Sequence, residues 1–353
     1  MSKESQPRPP VVGIVGASGY SGVIAARLLA AHPRFSLAFC TSDRWVGDAV
    51  SARTSADTDL RFVANGAALD HAVDAVFLAT SAEVSLELAP QFLAKGVRVV
   101  DLSGAFRLRD AADYARWYRL EHRQPALLAS AHYGLPELFG DPPEGARLVA
   151  NPGCYATAAI LAIAPLVREG LVDVSSPLIV DGKSGVTGAG RQSKEGYSFV
   201  EVDSDLRAYK VLAHQHTPEM SQAIARHAGR DVQLVFTAHL VPVRRGLSCT
   251  VYARPRADVT QSSLDECLRG AYENSPFVEV VRPEEATFAS VVGTNRCRVG
   301  AAVDDQGVIV AVGALDNLIK GAAGQAVQNL DRLFGFDDAG PGSGLDHLTR
   351  SAP

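Results

Sequence analysis

Two short segments carry residue types that do chemistry. Asn151-Pro152-Gly153-Cys154 stands directly before the apolar run Tyr155 to Val167. Asn followed by Pro is a helix start, cap then first turn, and predicts a helix over residues 152–167 with Cys154 in its first turn. Unpaired N–H groups and the positive end of the helix dipole gather at such a position, so a thiolate is favoured and the pKa of the thiol is expected to fall. The same N–H groups can form an oxyanion hole. A nucleophilic thiol that also passes protons needs an acid/base partner, most often histidine. Of the nine histidines, His214 and His216 stand with Glu219 in His214-Gln215-His216-Thr217-Pro218-Glu219. Thr217-Pro218-Glu219 reads as the start of a helix running from Met220 to His227, so the three side chains are expected to converge just before a helix N-terminus. A metal site competes for this cluster, yet H-x-H with a Glu three residues on lacks a further ligand set. A pair of exposed loop histidines is the plainer alternative. Cys40, Cys249, Cys267 and Cys297 each lie within an apolar strand or helix and read as small buried side chains.

A third segment, Gly16-Ala17-Ser18-Gly19-Tyr20-Ser21-Gly22, follows the strand-like run Val11 to Val15 and precedes a helical run that Pro33 stops. Strand, glycine turn and helix in succession form a dinucleotide-binding context, although G-x-x-G-x-x-G departs from the G-x-G-x-x-G spacing. Backbone here can approach a pyrophosphate, and the N–H groups at the helix start can receive its charge. Gly16, Ser18, Gly19, Tyr20, Ser21 and Gly22 are therefore expected cofactor contacts. At the end of the second strand, Leu37 to Thr41, an acidic residue suits the ribose 2′-hydroxyl of NAD, whereas Arg and hydroxyl side chains suit the 2′-phosphate of NADP. Thr41-Ser42-Asp43-Arg44 carries both signals: Ser42 and Arg44 favour NADP, and Asp43 favours NAD. Asp101-Leu102-Ser103-Gly104-Ala105-Phe106-Arg107 closes another strand at the edge where substrates of such folds sit, and Arg107 can clamp a phosphate or carboxylate. The segment Asp181 to Arg191 is too glycine-rich for a regular element and reads as a mobile binding loop.

These residues need two scaffolds. With 353 residues, the chain exceeds what one core usually serves. Its 47% hydrophobic and 21% charged residues are those of a globular protein, and a net charge of −5 argues against a broad nucleic-acid grip. Five cysteines without C-x-x-C spacing fit a reducing compartment, and residues 1–10 hold no apolar signal core, so a cytoplasmic protein without a membrane span is expected. The first hundred residues alternate strand and helix, with further strands at Ala75 to Ala79 and Val97 to Leu102 and a helix around Val84 to Lys95, as parallel α/β units do. Residues 105–147 read as irregular excursions before a short run, Arg147 to Ala150. Beyond the Cys154 helix, Leu178 to Val180, Gln233 to Val243, Ser248 to Ala253, Arg296 to Val303 and Val308 to Val312 read as strands mostly following one another. The last two are joined by an Asp305-Gln306-Gly307 turn. The expected fold is thus α/β, a Rossmann-type parallel sheet domain plus an α+β domain with a mainly antiparallel sheet. A final helix spans Asn317 to Phe334.

Val149-Ala150-Asn151-Pro152-Gly153-Cys154-Tyr155-Ala156-Thr157-Ala158, with Pro165 downstream, resembles the active-site signature of the N-acetyl-gamma-glutamyl-phosphate reductase family, relatives of the aspartate-semialdehyde dehydrogenases. Gly16 to Gly22, Asp101 to Arg107, Gly182 to Arg191, His214 to Glu219 and Gly313 to Ala326 are similar to family segments in the same order. Leu78-Ala79-Thr80-Ser81-Ala82-Glu83 departs from the Leu-Pro-His-Gly type of turn found there. The resemblance implies NADPH-dependent reduction of an acyl phosphate through a Cys154 thioester in arginine biosynthesis, with His216 as acid/base and His214 and Glu219 holding or orienting substrate. It further implies Arg107 and Ser184 as phosphate or substrate contacts, Ser103 as a cofactor contact, and Gly185 and Asn317 near the nicotinamide. The implied partition is a discontinuous NADP-binding domain, 1–153 and 315–353, around a catalytic and oligomerisation domain, 154–314, in a homodimer or homotetramer. Two other functions fit parts of the pattern: the same chemistry on a carrier-protein-linked aminoadipyl or glutamyl phosphate, for which Arg244-Arg245 is the one basic pair found, and a non-catalytic NADP-binding regulator.

Overall fold

The computed structural model describes residues 8–191, 196, 199–340 and 343–348. The extremities of the expected nucleotide-binding unit, and most of the stretch read for a signal, lie outside the described residues.

The N-terminal strands are β1 (Val11–Val15), β2 (Ser36–Cys40), β3 (Ala75–Leu78), β4 (Arg98–Asp101), β5 (His132–Tyr133) and β6 (Leu148–Ala150). They form one parallel sheet in the order β2-β1-β3-β4-β6-β5. The helices among them are α1 (Tyr20–Ala30), α2 (Val50–Thr54), α3 (Ala82–Ala94), α4 (Ala111–Trp117), α5 (Pro125–Ser130) and α6 (Pro136–Phe139). β3 is buried along its whole length, and β1 nearly so, as strands covered on both faces must be.

The second sheet contains β7 (Leu178–Gly185), β8 (Arg207–Tyr209), β9 (Leu234–Val241), β10 (Leu247–Ala253), β11 (Val278–Val280), β12 (Cys297–Val303) and β13 (Ile309–Leu315), in the order β11-β12-β13-β10-β7-β9-β8. Pairing is antiparallel except between β11 and β12 and between β7 and β9. The remaining helices are α7 (Cys154–Arg168), α8 (Phe199–Val202), α9 (His216–Ala228), α10 (Gln261–Tyr272), α11 (Phe288–Val291) and α12 (Gly324–Leu333). α7, α9 and α10 share one core with the inner face of this sheet. α7 is buried from Tyr155 to Val167, which is why its sequence is apolar all round. α12 turns back and packs Ala326, Val327 and Leu330 with Val12, Ile14, Val23 and Leu28 of the first sheet and its helix α1. Among the described residues, no helix is long and apolar enough to cross a membrane.

Four local expectations are corrected. The glycine-rich stretch from Asp181 is not irregular at first: β7 continues through it to Gly185, because a Cβ at Gly182 would stand 2.6 Å from the Tyr155 ring and the bare backbone lets sheet and helix close. Residues 105–147 hold three short helices and the edge strand β5, too brief to show periodicity. Asn151 is not the cap of α7; Gly153 is, and the Asn151 amide instead donates to the Ala322 carbonyl and accepts from Asn329. α9 begins at His216, so His216 and Glu219 lie in its first turn, not ahead of it.

Candidate active site

The C-terminal ends of the first sheet, the start of α7, the start of α9 and the turn after β13 meet around a cleft of about 410 Å³. Gly19, Tyr20, Ser21 and Gly22 line one wall. Arg107, Cys154, His214, His216 and Asn317 line the other, with Thr187 to Arg191 completing it. The cleft thereby joins the glycine turn to the expected nucleophile and base, which are far apart in sequence.

Cys154 opens α7 and is partly exposed. Burial pushes its thiol up to about 11, against the opposing pull of the Tyr155 N–H and the Arg107 charge. The direction runs against the expected fall of this pKa at a helix start, and burial is the largest influence on the thiol. His216 is placed to supply what the dipole does not. A Cβ on Gly153 would stand 2.3 Å from His216 Nε2, so the imidazole lies across the residue before Cys154, in space only glycine leaves. Burial first, then Arg107 and Lys210, hold this imidazole well below its usual pKa, so it is neutral and able to accept a proton. His214 is lowered to about 2 by burial, His216 and Lys210. It is a support: its Nδ1 accepts the His216 backbone N–H at 3.2 Å, and its ring packs on Tyr155, Tyr209 and Phe236.

Arg107 is fixed from behind, donating through Nε to the Asn151 carbonyl at 2.7 Å and through Nη2 to the Leu102 carbonyl at 3.0 Å. Nη1 reaches 3.5 Å from both His216 Nε2 and Glu219 Oε2. Burial opposes the guanidinium charge, but Glu219 and neighbouring tyrosines outweigh it and the pKa rises. Glu219 is fully buried and outside the cleft lining. Its Oε1 accepts from the Tyr133 hydroxyl and the Gly153 N–H, both at 2.8 Å, which pins the cap of α7 to the first turn of α9. Glu219 thus joins the two helix starts from behind the cleft lining, and Tyr133, on an edge strand with no sequence signal, is its unanticipated partner.

The glycine turn fits a dinucleotide. Gly16 has φ +82°, and a Cβ there would stand 2.6 Å from the Ala79 carbonyl oxygen; one at Gly22 would stand 2.7 Å from Ala17 Cα. No side chain caps the first N–H groups of α1, leaving them for an anion. Asn317 bridges the cleft roof, donating to Thr187 Oγ1 at 3.0 Å and accepting from the Gly246 N–H at 2.9 Å.

Other expected contacts lie outside the lining: Gly16, Ser18, Ser42, Arg44, Ser103, Ser184 and Gly185. Ser103 donates to Asp101 and accepts from the Ala105 N–H, shaping the loop that carries Arg107. Ser184 is buried, with its hydroxyl on the Gly185 carbonyl and 2.8 Å from where a Gly188 Cβ would be. Arg44 is exposed, and Arg245 of the basic pair is tied to buried Asp316 at 2.7 Å. Among the described residues, no three His, Cys, Asp or Glu side chains gather as a metal would need. Sequence reasoning missed Tyr209 and Lys210, which line the cleft from β8 and the turn after it. Lys210 has φ +48° and Leu212 φ +56°, conformations that mark a constrained segment but leave no trace in residue type.

Known proteins resemble the chain along nearly its whole length. The family model "Semialdehyde dehydrogenase, NAD binding domain" matches residues 11–145, and "Semialdehyde dehydrogenase, dimerisation domain" matches 154–317. An N-acetyl-gamma-glutamyl-phosphate reductase of Magnetococcus marinus is 41% identical, covering 96% of this chain and 97% of that one. One from Ectopseudomonas mendocina is 44% identical over 95% and 98% of the two chains. In three dimensions the chain is similar to aspartate semialdehyde dehydrogenase II of Vibrio cholerae, with TM-score 0.70 at 19% identity and coverage of 94% and 99%. It is also similar to the NADP-bound aspartate semialdehyde dehydrogenase of Candida albicans, with TM-score 0.63 at 16% identity and coverage of 92% and 98%. A cysteine at a helix start, a histidine against the glycine before it and a glycine-turn cradle are thus found in a chain that belongs to the semialdehyde dehydrogenase family, on the branch of the N-acetyl-gamma-glutamyl-phosphate reductases.

Proposed function

We propose that the chain catalyses NADPH-dependent reduction of N-acetyl-L-glutamyl 5-phosphate to N-acetyl-L-glutamate 5-semialdehyde, with release of phosphate, as a step of arginine biosynthesis. The observation that carries the reading is the seat of His216 Nε2 against Gly153, beside a thiol held protonated. Neutral thiol and neutral imidazole make a pair that ionises only as the sulfur attacks. His216 takes the thiol proton while Cys154 Sγ bonds to the acyl carbon. The acyl–oxygen bond breaks and phosphate leaves with its electron pair toward the Arg107 guanidinium, which two carbonyls hold in place. NADPH held by the glycine turn and Asn317 would supply the hydride that reduces the thioester. When the carbon–sulfur bond then breaks, the proton on His216 returns to Cys154. Lys210 and Tyr209 line the same cleft and are the groups proposed to meet the substrate carboxylate.

Gly19 to Gly22 would hold the pyrophosphate, and Asn317 would position the nicotinamide near Cys154. The proposed partition is a discontinuous cofactor unit, 1–153 and 315–353, around residues 154–314. It is supported by the packing of α12 in the core of the first sheet. Self-association as a homodimer or homotetramer is proposed through the outer face of the second sheet, where Val235, Ile179 and Tyr252 lie side by side in register and remain exposed. A working thiol among five free cysteines suits a cytoplasmic setting.

The test runs the reaction backwards. NADP is supplied with N-acetylglutamate semialdehyde, with and without inorganic phosphate, and reduction is followed by absorbance. Phosphate-dependent NADPH formation is expected. Its absence, or activity only with a carrier-linked semialdehyde, overturns the substrate assignment.

A further inference from the structure

We propose that Arg191, carried by the segment after β7, is the residue through which the chain reads the 2′-phosphate of its dinucleotide. The inference deepens the NADPH reading above and rests on it. Its starting point is a position that the end of β2 does not explain. Ser42 is buried and its hydroxyl accepts the Trp45 N–H at 3.2 Å, so it shapes the turn. Asp43 accepts from the Asn65 backbone N–H and from Asn65 Nδ2, both at 2.8 Å, while Asn65 Oδ1 accepts from Thr41, whose Oγ1 in turn accepts the Gly16 N–H. Each carboxylate oxygen thus helps brace the loop against the glycine turn, so Asp43 has a structural role apart from selecting a ribose 2′-hydroxyl.

Arg191 reaches this place from the opposite wall. Its guanidinium carbon sits 4.6 Å from the Tyr20 ring centre, at the start of α1, and 5.2 Å from the Trp45 ring centre, just past β2. These two rings flank the ground between the pyrophosphate site and the adenosine ribose in a fold of this class. Stacking on two aromatic faces fixes the plane of the guanidinium while leaving its N–H edge for an anion. Arg191 Nε is buried and has no hydrogen-bond partner among the described residues, a donor that a phosphate oxygen would satisfy. The cation lines the same cleft as Cys154. Since Arg191 follows β7 and Tyr20 and Trp45 belong to the first sheet's side, a 2′-phosphate would draw the two walls together.

Equilibrium binding of NADPH and NADH, read by nucleotide fluorescence, tests this on the full chain, with Arg191→Ala, Arg191→Lys and Arg44→Ala alongside. Adenosine 2′,5′-bisphosphate and AMP serve as competing fragments. Arg191→Ala is expected to weaken NADPH and the bisphosphate by roughly 10- to 100-fold, the range for a lost charged hydrogen bond, while NADH and AMP change less than about twofold. Arg191→Lys, which keeps charge without the planar fork, should recover part of the loss. Equal losses for both dinucleotides, or full NADPH preference retained in Arg191→Ala and lost in Arg44→Ala, overturn the proposal and leave the enzyme reading intact. Wild-type protein that binds NADH as tightly as NADPH refutes the cofactor reading itself, and the Arg191 role with it.

Discussion

At the scale of single residues, the site depends on where protons rest. Burial raises the Cys154 thiol to about 11 and holds the His216 imidazole well below its usual value. Alkylation by iodoacetamide reports thiolate directly, and thiolate increases about tenfold per pH unit below the thiol pKa. The logarithm of the rate should therefore climb steadily from pH 7 to pH 10; a plateau near pH 7 would show a standing thiolate and contradict the neutral pair. Cys154→Ser should lower turnover by at least about a thousandfold while NADPH still binds, since only the nucleophile is weakened. Mass spectrometry after acyl phosphate is added without cofactor should find the adduct on Cys154; an adduct on Cys249 or Cys297 counts against the assignment. Gly153→Ala is a subtler case. Its Cβ would collide with His216 Nε2, so the imidazole must move off the nucleophile. The expected result is a fall in kcat larger than the change in KM, with a stability cost of about 1–3 kcal/mol for the crowding.

At the scale of elements, Cys154, the proposed nucleophile, is positioned by two helix ends that no local pattern connects. Glu219 ties α9 to the cap of α7, and the π-helical turn Ile319–Ala323 presses on the same point: a Cβ on Gly321 would stand 2.7 Å from Cys154 Cβ. Gly321→Ala should push the sulfur out of line and cut turnover by about tenfold or more, while circular dichroism stays unchanged. Undiminished turnover would show that the turn only packs. Much of this was legible beforehand. β1, the glycine turn, α7, β9, β10, β12 and β13 follow from apolar runs, breakers and a hairpin turn, whereas the meeting of Cys154, His216, Arg107 and Asn317 in one cleft was implied by the family resemblance and not by their spacing. What escaped depends on contacts distant in sequence. β7 runs through glycines because Tyr155 presses on Gly182, and Asn151 leaves its capping role because α12 offers Asn329 and the turn before α12 offers the Ala322 carbonyl. Tyr133 enters through a two-residue edge strand that propensity cannot register.

At the scale of the whole molecule, the same desolvation that sets the nucleophile acts on many groups at once and bounds the pH range of stability. Burial raises the pKa of Cys40, Cys154, Cys249, Cys267 and Cys297, to about 12, 11 and 12 for Cys40, Cys154 and Cys297 and to about 11 for Cys267. Unfolded thiols release protons from about pH 8.5 upward, whereas the native ones keep them, so the unfolded state binds fewer protons and stability falls as pH rises. On the acid side, burial lowers His122, His132, His214, His216 and His227. Below about pH 6.5 the unfolded histidines take up protons that the native ones refuse, so stability falls as pH drops. Each fully shifted group contributes up to about 1.4 kcal/mol per pH unit within its window. Urea midpoints measured from pH 5 to pH 10.5 should form a plateau between roughly pH 6.5 and 8.5 with a decline on either side. Replacing the thiol at Cys40, which lies in the nucleotide-binding core away from the chemistry, separates the causes. Cys40→Ala should flatten the alkaline limb by about one proton's worth of slope without altering the acid limb. An alkaline limb unchanged in that variant would show that Cys40 does not contribute, leaving the decline to the other buried thiols and, above about pH 10, to the buried tyrosines Tyr114, Tyr118, Tyr133, Tyr155 and Tyr272, whose pKa values burial also raises.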